Sequence, residues 1–194
     1  MAIFQKHEFK REEHVYENSE FSELLKDAVR FFHGTPVLPL PLEESFEGAG
    51  VYAIYCISKK GLYKAYGERI NRLSYEVPIY VGKAVPSDTS FSSLSLNQQL
   101  SFWQSCFRSS LIMTSRDFHV RVLPIKGHLM RNKVYEMLKG LFKPLWNQVF
   151  KADLSLENMS KTWCAYHDLR FHRKITNSKI EALEGLLEGY FTAS

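Results

Sequence analysis

Two short fragments carry residue types from which a reaction could be built. They are Gly50-Val51-Tyr52 and Ile79-Tyr80-Val81-Gly82-Lys83, with the second tyrosine 28 residues after the first. Each sets a phenol on an apolar run, and the second adds an ammonium group. A phenol titrates near pH ~10, so it is a weak base unless a cation sits beside it. Taken singly, each fragment also reads as a sheet tyrosine near a strand-end glycine, since tyrosine is common in strands. Lys59, Lys60, Lys64, Arg69 and Arg72 form a basic cluster, which suits a solvated face or a DNA-backbone contact. His167 and His172 stand five apart and do not share a helix face, so they make a poor metal pair. The chain has no Walker loop, no Gly-x-Gly-x-x-Gly and no Gly-x-Ser-x-Gly.

The elements that must position these groups follow from pattern and composition. At 194 residues with 45% hydrophobic and 24% charged residues, the chain can bury a core and is neither disordered nor fibrous. No stretch is long and apolar enough for a membrane span, and no secretory leader is expected at the N-terminus. The three cysteines are far apart and odd in number, which fits no disulfide framework and points to a reducing cytoplasm. A net charge of +4 permits a nucleic-acid partner without demanding one.

Residues 1–18 read as a polar arm, and 19–194 as a single domain with a core at about 48–150. Phe21, Leu24, Leu25, Ala28, Val29 and Phe32 make one apolar face of a helix over 19–33. Pro36, Pro39 and Pro41 mark an extended connector. Strands are predicted at 50–57, 78–83 and 118–125, and a short helix at about 63–75. Met130, Val134, Met137, Leu138 and Leu141 predict a helix over 129–142 that Pro144 ends. A capping box at Ser178 and Glu181 opens a last helix. Early strands flanked by helices predict an α+β fold with helical extensions at both ends.

Together the two tyrosine fragments resemble the paired signature of the GIY-YIG nuclease superfamily. The likeness extends over Glu13-His-Val-Tyr16, Lys26 to Phe32, Gly34-Thr-Pro-Val37, Arg69-Ile-Asn-Arg-Leu73, Pro78 to Pro86 and Lys143-Pro-Leu-Trp-Asn147. Trp163 and His167-x-x-Arg170 echo it further on. In these stretches the chain is similar to the short type II restriction endonucleases that cut CCGCGG.

The resemblance implies a small three-stranded antiparallel sheet flanked by helices. It implies Mg²⁺-dependent hydrolysis of double-stranded DNA at a short palindrome, and hence a homodimer. Tyr52 and Tyr80 match the signature tyrosines, the first a candidate to orient or deprotonate water, the second near the scissile phosphate. Lys83 matches a lysine that can lower a neighbouring pKa. Glu136 matches the metal-binding glutamate, and Asn147 the asparagine that closes the site. Helix geometry is compatible, because Glu136 falls opposite the apolar stripe, close to Asn132, Lys139 and Lys143. Mg²⁺ needs only one or two carboxylates beside phosphate and water.

One stretch departs from the pattern. Between the second and third strands that branch carries an arginine and a histidine on one helix. Counting back from Asp117-Phe118 sets Gln99 and Trp103 at those positions. Gln99 brings no charge, and a tryptophan ring nitrogen only donates. Arg108 follows Gln99 by nine residues, on the opposite helix face. From Ser87 to Ser115 only Asp88 and Arg108 are charged, while Phe102, Trp103, Phe107, Leu111, Ile112 and Met113 suit a core helix, a subunit interface or a base-stacking wedge. Two readings therefore stand. One is a restriction endonuclease. The other is a pseudo-nuclease that binds DNA or a protein partner without cutting.

Overall fold

The computed structural model describes residues 19–43, 45–58, 63, 64, 67, 75–86, 90–110 and 113–171. The expected arm, most of the 63–75 helix and the helix opened by Ser178 lie outside the described residues. So do Lys59, Lys60, Arg69, Arg72, Leu111, Ile112 and His172.

The first helix, α1, runs over Ser19–Gly34 and buries Val29 and Phe32 as its periodicity predicts. Next comes β1, Leu38–Pro39, then β2, Gly50–Cys56, and β3, Tyr80–Ala84. Helix α2 spans Leu96–Ser109, β4 Phe118–Pro124, α3 His128–Phe142 and α4 Leu156–Phe171. The sheet is antiparallel, in the order β1-β4-β2-β3.

The sheet thus has four strands where three were expected. The added strand, β1, lies in the proline-marked connector and pairs Leu38 with Val120 and Pro39 with His119. A sheet edge is where proline is tolerated, because its missing N–H faces no partner strand. A two-residue edge strand gives no alternation from which to predict it.

Strand β2 lies between β3 and β4 and is apolar on both faces because a core packs against each of them. Tyr52, Ile54 and Cys56 join one core with Leu100, Trp103, Phe107, Trp146, Phe150 and Trp163. Val51, Ala53 and Tyr55 join the other with Phe32, Val134, Tyr135 and Leu138. Helices α2 and α4 therefore cover one face of the sheet, and α1 and α3 the other.

Helix α2 opens with a reciprocal capping box between Ser95 and Gln98. Its buried stripe is Leu96, Gln99, Leu100, Trp103, Cys106 and Phe107. Gln99 and Trp103 thus face the sheet, while Arg108 is exposed. The apolar 102–113 stretch is core where described: Trp103, Phe107 and Met113 are buried, and Phe102 packs against them.

Helix α3 is rotated slightly from its predicted stripe. Tyr135 and Arg131 are buried, while Leu141 is 62% exposed. The buried Arg131 guanidinium donates to the carbonyls of Ala84 and Lys126, so its charge is paired with backbone acceptors. The helix ends at Lys143, which takes a left-handed conformation before Pro144. That turn brings Trp146 and Asn147 back to the free edge of β3, where Trp146 N–H donates to Ile79 O.

Candidate active site

Register explains the spacing of the two fragments. Tyr52 on β2 stands opposite Gly82 on β3. Its ring crosses the glycine so closely that a Cβ there would lie 2.2 Å from Tyr52 Cζ and 2.5 Å from the hydroxyl. Only glycine leaves room for the ring. Gly82→Ala is expected to destabilise the protein by about 2 kcal/mol, within the usual range for overpacking a core. The thermal midpoint should fall by roughly 5 °C. An unchanged midpoint in calorimetry would show that the ring has somewhere else to go.

The Tyr52 hydroxyl is closed in. It donates to Gln99 Oε1 at 2.9 Å and accepts from Trp103 Nε1 at 2.9 Å. The direction is fixed by chemistry. Gln99 Nε2 donates to the carbonyls of Lys83, at 2.8 Å, and Leu94, at 3.0 Å. Carbonyls only accept, so Oε1 must face Tyr52 and the phenol must donate. Burial pushes the Tyr52 phenol well above the ordinary tyrosine value, opposed chiefly by the Trp103 hydrogen bond. Tyr80 lies 6.0 Å from Tyr52 and 4.8 Å from Trp103, ring centre to ring centre. Burial, with Tyr52 and Tyr135 nearby, raises its phenol strongly too. Both tyrosines are fully buried and neutral at ordinary pH. In this arrangement Tyr52 is a hydrogen-bond donor rather than a base.

Asn147 acts on the edge of β3. Its Oδ1 accepts from Val81 N–H at 2.8 Å, and its Nδ2 donates to Val81 O at 2.7 Å. The amide thus substitutes for one residue of a missing neighbouring strand. It satisfies two edge groups and holds β3 in place.

Lys83 projects to the α3 side, where its Nζ donates to Asn132 Oδ1 at 3.0 Å and lies 4.9 Å from the Tyr135 ring centre. Glu136 is on the exposed flank of α3, its side chain 55% accessible, and Oε2 meets Lys139 Nζ at 2.8 Å. The Tyr135 phenol is raised to about 12, first by burial and then by the Glu136 charge, with a hydrogen bond from Asn147 opposing.

Lys83, Glu136 and Asn147 line one open cleft of about 850 Å³ with Tyr135, Lys139, Lys151 and Asp153. Of the five residues suggested by the sequence, three share this cleft. The other two, Tyr52 and Tyr80, touch each other beneath Gln99 and Trp103. Of the basic cluster only Lys64 is described, and it is exposed. Tyr135, Lys139 and Lys151 are cleft residues that sequence reading missed as a group. Lys139 carried a signal, since it falls on the Glu136 face of α3. Tyr135 was obscured because the predicted apolar stripe was centred one residue away. Among the described residues no group of three or more histidine, cysteine or acidic side chains could enclose a metal ion.

The chain matches a family model described as the Eco29kI GIY-YIG domain over residues 44–152, more than half its length. That segment begins before β2 and ends just beyond Asn147, so it contains the site residues above except Asp153, which follows it directly. No curated protein matches the chain.

Proposed function

The chain belongs to the Eco29kI GIY-YIG domain family, a restriction endonuclease family, and we propose that its cleft binds double-stranded DNA and hydrolyses the phosphodiester backbone with Mg²⁺. The observation that carries this reading is the common cleft of Lys83, Glu136 and Asn147. It combines two accessible carboxylates, Glu136 and Asp153, with cationic walls, and is open enough to admit a backbone phosphate.

The donor set fits magnesium. A hard ion keeps several waters and takes one or two carboxylates beside phosphate oxygens. Glu136 offers a carboxylate on the open wall, and Asp153 lines the same cleft. When bound there, the metal ion supplies Lewis-acid polarisation of the phosphoryl oxygen and stabilises the leaving alkoxide. The chain's own residues do the rest. Lys83, held by Asn132, presents positive charge to a phosphate. Asn147 fixes the β3 edge from which Lys83 projects. A palindromic target would be matched by a two-fold homodimer, with one cleft for each strand.

A second reading has its own support. With Tyr52 donating to Gln99 and accepting from Trp103, the phenol that a nuclease of this type would turn on water is engaged inside the core. On that reading the chain binds DNA and does not cut it.

One experiment separates the two. The purified chain is incubated with unmethylated duplex bearing CCGCGG, and with a long DNA of mixed sequence, in Mg²⁺ and in EDTA. Gel shifts are run in Ca²⁺. Cutting in Mg²⁺ that EDTA removes is the expected result. Shifts without cutting would select the binding protein, and absence of both would sink the two readings together.

A further inference from the structure

The cleft contains three ammonium groups, and the paired tyrosine signature accounts only for Lys83. Hydrolysis of a phosphodiester builds negative charge on the phosphoryl oxygens, and a cation already in place stabilises it. Positions 99 and 103 bring no cation. Both are buried, and both spend their polar atoms inside the protein. Arg108 is exposed on the flank of α2 away from the sheet.

Lys139 is placed differently. Its Nζ is 2.8 Å from Glu136 Oε2, and its side chain remains 40% accessible. It lies 5.1 Å from the Tyr135 ring centre, the same ring that holds Lys83 at 4.9 Å. One aromatic ring thus carries two ammonium groups, one from β3 and one from α3, beside an accessible carboxylate. Cation–π attraction restrains both without neutralising either. The ion pair with Glu136 is solvent-exposed, so exchanging its carboxylate partner for a phosphate oxygen costs little.

We propose that Lys139 binds the phosphate on which the cleft acts, supplying the positive charge that positions 99 and 103 lack, with Tyr135 as a positioning residue for Lys139 and Lys83. The proposal rests on the DNA-binding reading of the cleft.

The test uses the full chain as wild type, Lys139→Ala and Lys139→Arg. DNA affinity is measured in Ca²⁺ across a salt series, single-turnover cutting in Mg²⁺, and the thermal midpoint for each. Loss of one phosphate contact lowers the slope of log affinity against log salt by about one. Lys139→Ala should show that change, cut about 10²-fold more slowly, and keep its thermal midpoint. Lys139→Arg should recover most of both. A purely structural surface pair would move neither slope nor rate. If wild type binds DNA but does not cut, the nuclease reading falls, while a reduced slope still supports Lys139 as the phosphate ligand. An unchanged slope overturns the proposal whether or not wild type cuts. A reduced slope with an unchanged cutting rate overturns the assignment to the reacting phosphate. Failure of wild type to bind DNA sinks it with the reading it rests on.

Discussion

Trp103→His is expected to lower the unfolding free energy by about 3–5 kcal/mol, the usual cost of truncating a buried large aromatic ring. The position is where the resemblance sets a histidine, so the substitution looks conservative by family and is drastic by structure. Trp103 is fully buried. Its ring is stacked on Trp146 at 5.6 Å and meets Tyr80 at 4.8 Å, Phe150 at 5.6 Å and Trp163 at 5.9 Å. It joins α2, the segment after α3, and α4. Histidine fills less of that volume and sets a titratable ring among hydrocarbon, where its charged form is disfavoured. It also changes the donor on which the Tyr52 hydroxyl relies. The thermal midpoint should fall by about 10 °C, given roughly 2–4 °C per kcal/mol for a chain of this size. A shift of less than about 2 °C would show that the site accepts the histidine. The loss of the family residues at 99 and 103 would then be a surface-like drift rather than a rebuilt core.

That contrast separates what pattern can show from what it cannot. Helix α1 and strands β2 and β4 follow from periodicity, because their apolar residues repeat at the spacing of one buried face or fill both faces of a central strand. The two tyrosine fragments are visible for the same reason. Their mutual geometry is not, since the Tyr52 ring meets Gly82 only through the β2–β3 register. Likewise the chain shows that positions 99 and 103 lack charge, yet not what their side chains do instead. Tyr52 is 47 residues from Gln99 and 51 from Trp103, and both bonds exist only once α2 lies across the sheet. The missed strand β1 is too short to leave a pattern. Arg131 and Tyr135 lie outside the predicted stripe because a helix stripe has soft edges: a modest rotation buries one flank and exposes Leu141 on the other. The carboxylate on the polar face was the easier inference, because Glu136 falls opposite any reasonable centre of that stripe.

Glu136→Ala should reduce Mg²⁺-dependent cutting by about 10³-fold or more, since a bound metal's charge stabilisation is worth several kcal/mol and each ~1.4 kcal/mol is a factor of about ten. The fold should barely respond. The side chain is 55% accessible, and its partner Lys139 is one turn away on the same helix. Exposed pairs of that kind contribute between nothing and about 1 kcal/mol, so the thermal midpoint should move by no more than about 4 °C. Glu136→Gln keeps the shape and removes the charge, so it should lose activity as fully as alanine does. DNA affinity in Ca²⁺ separates chemistry from docking. Removing an anion from a cleft proposed to receive phosphate should leave nonspecific affinity equal or higher, because Lys139 is freed from its carboxylate. A variant that cuts like wild type would remove Glu136 from the site and direct the search to Asp153 on the same cleft wall. A variant that fails to cut and also fails to bind, with its midpoint unchanged, would make Glu136 a docking residue and leave the reacting carboxylate unassigned.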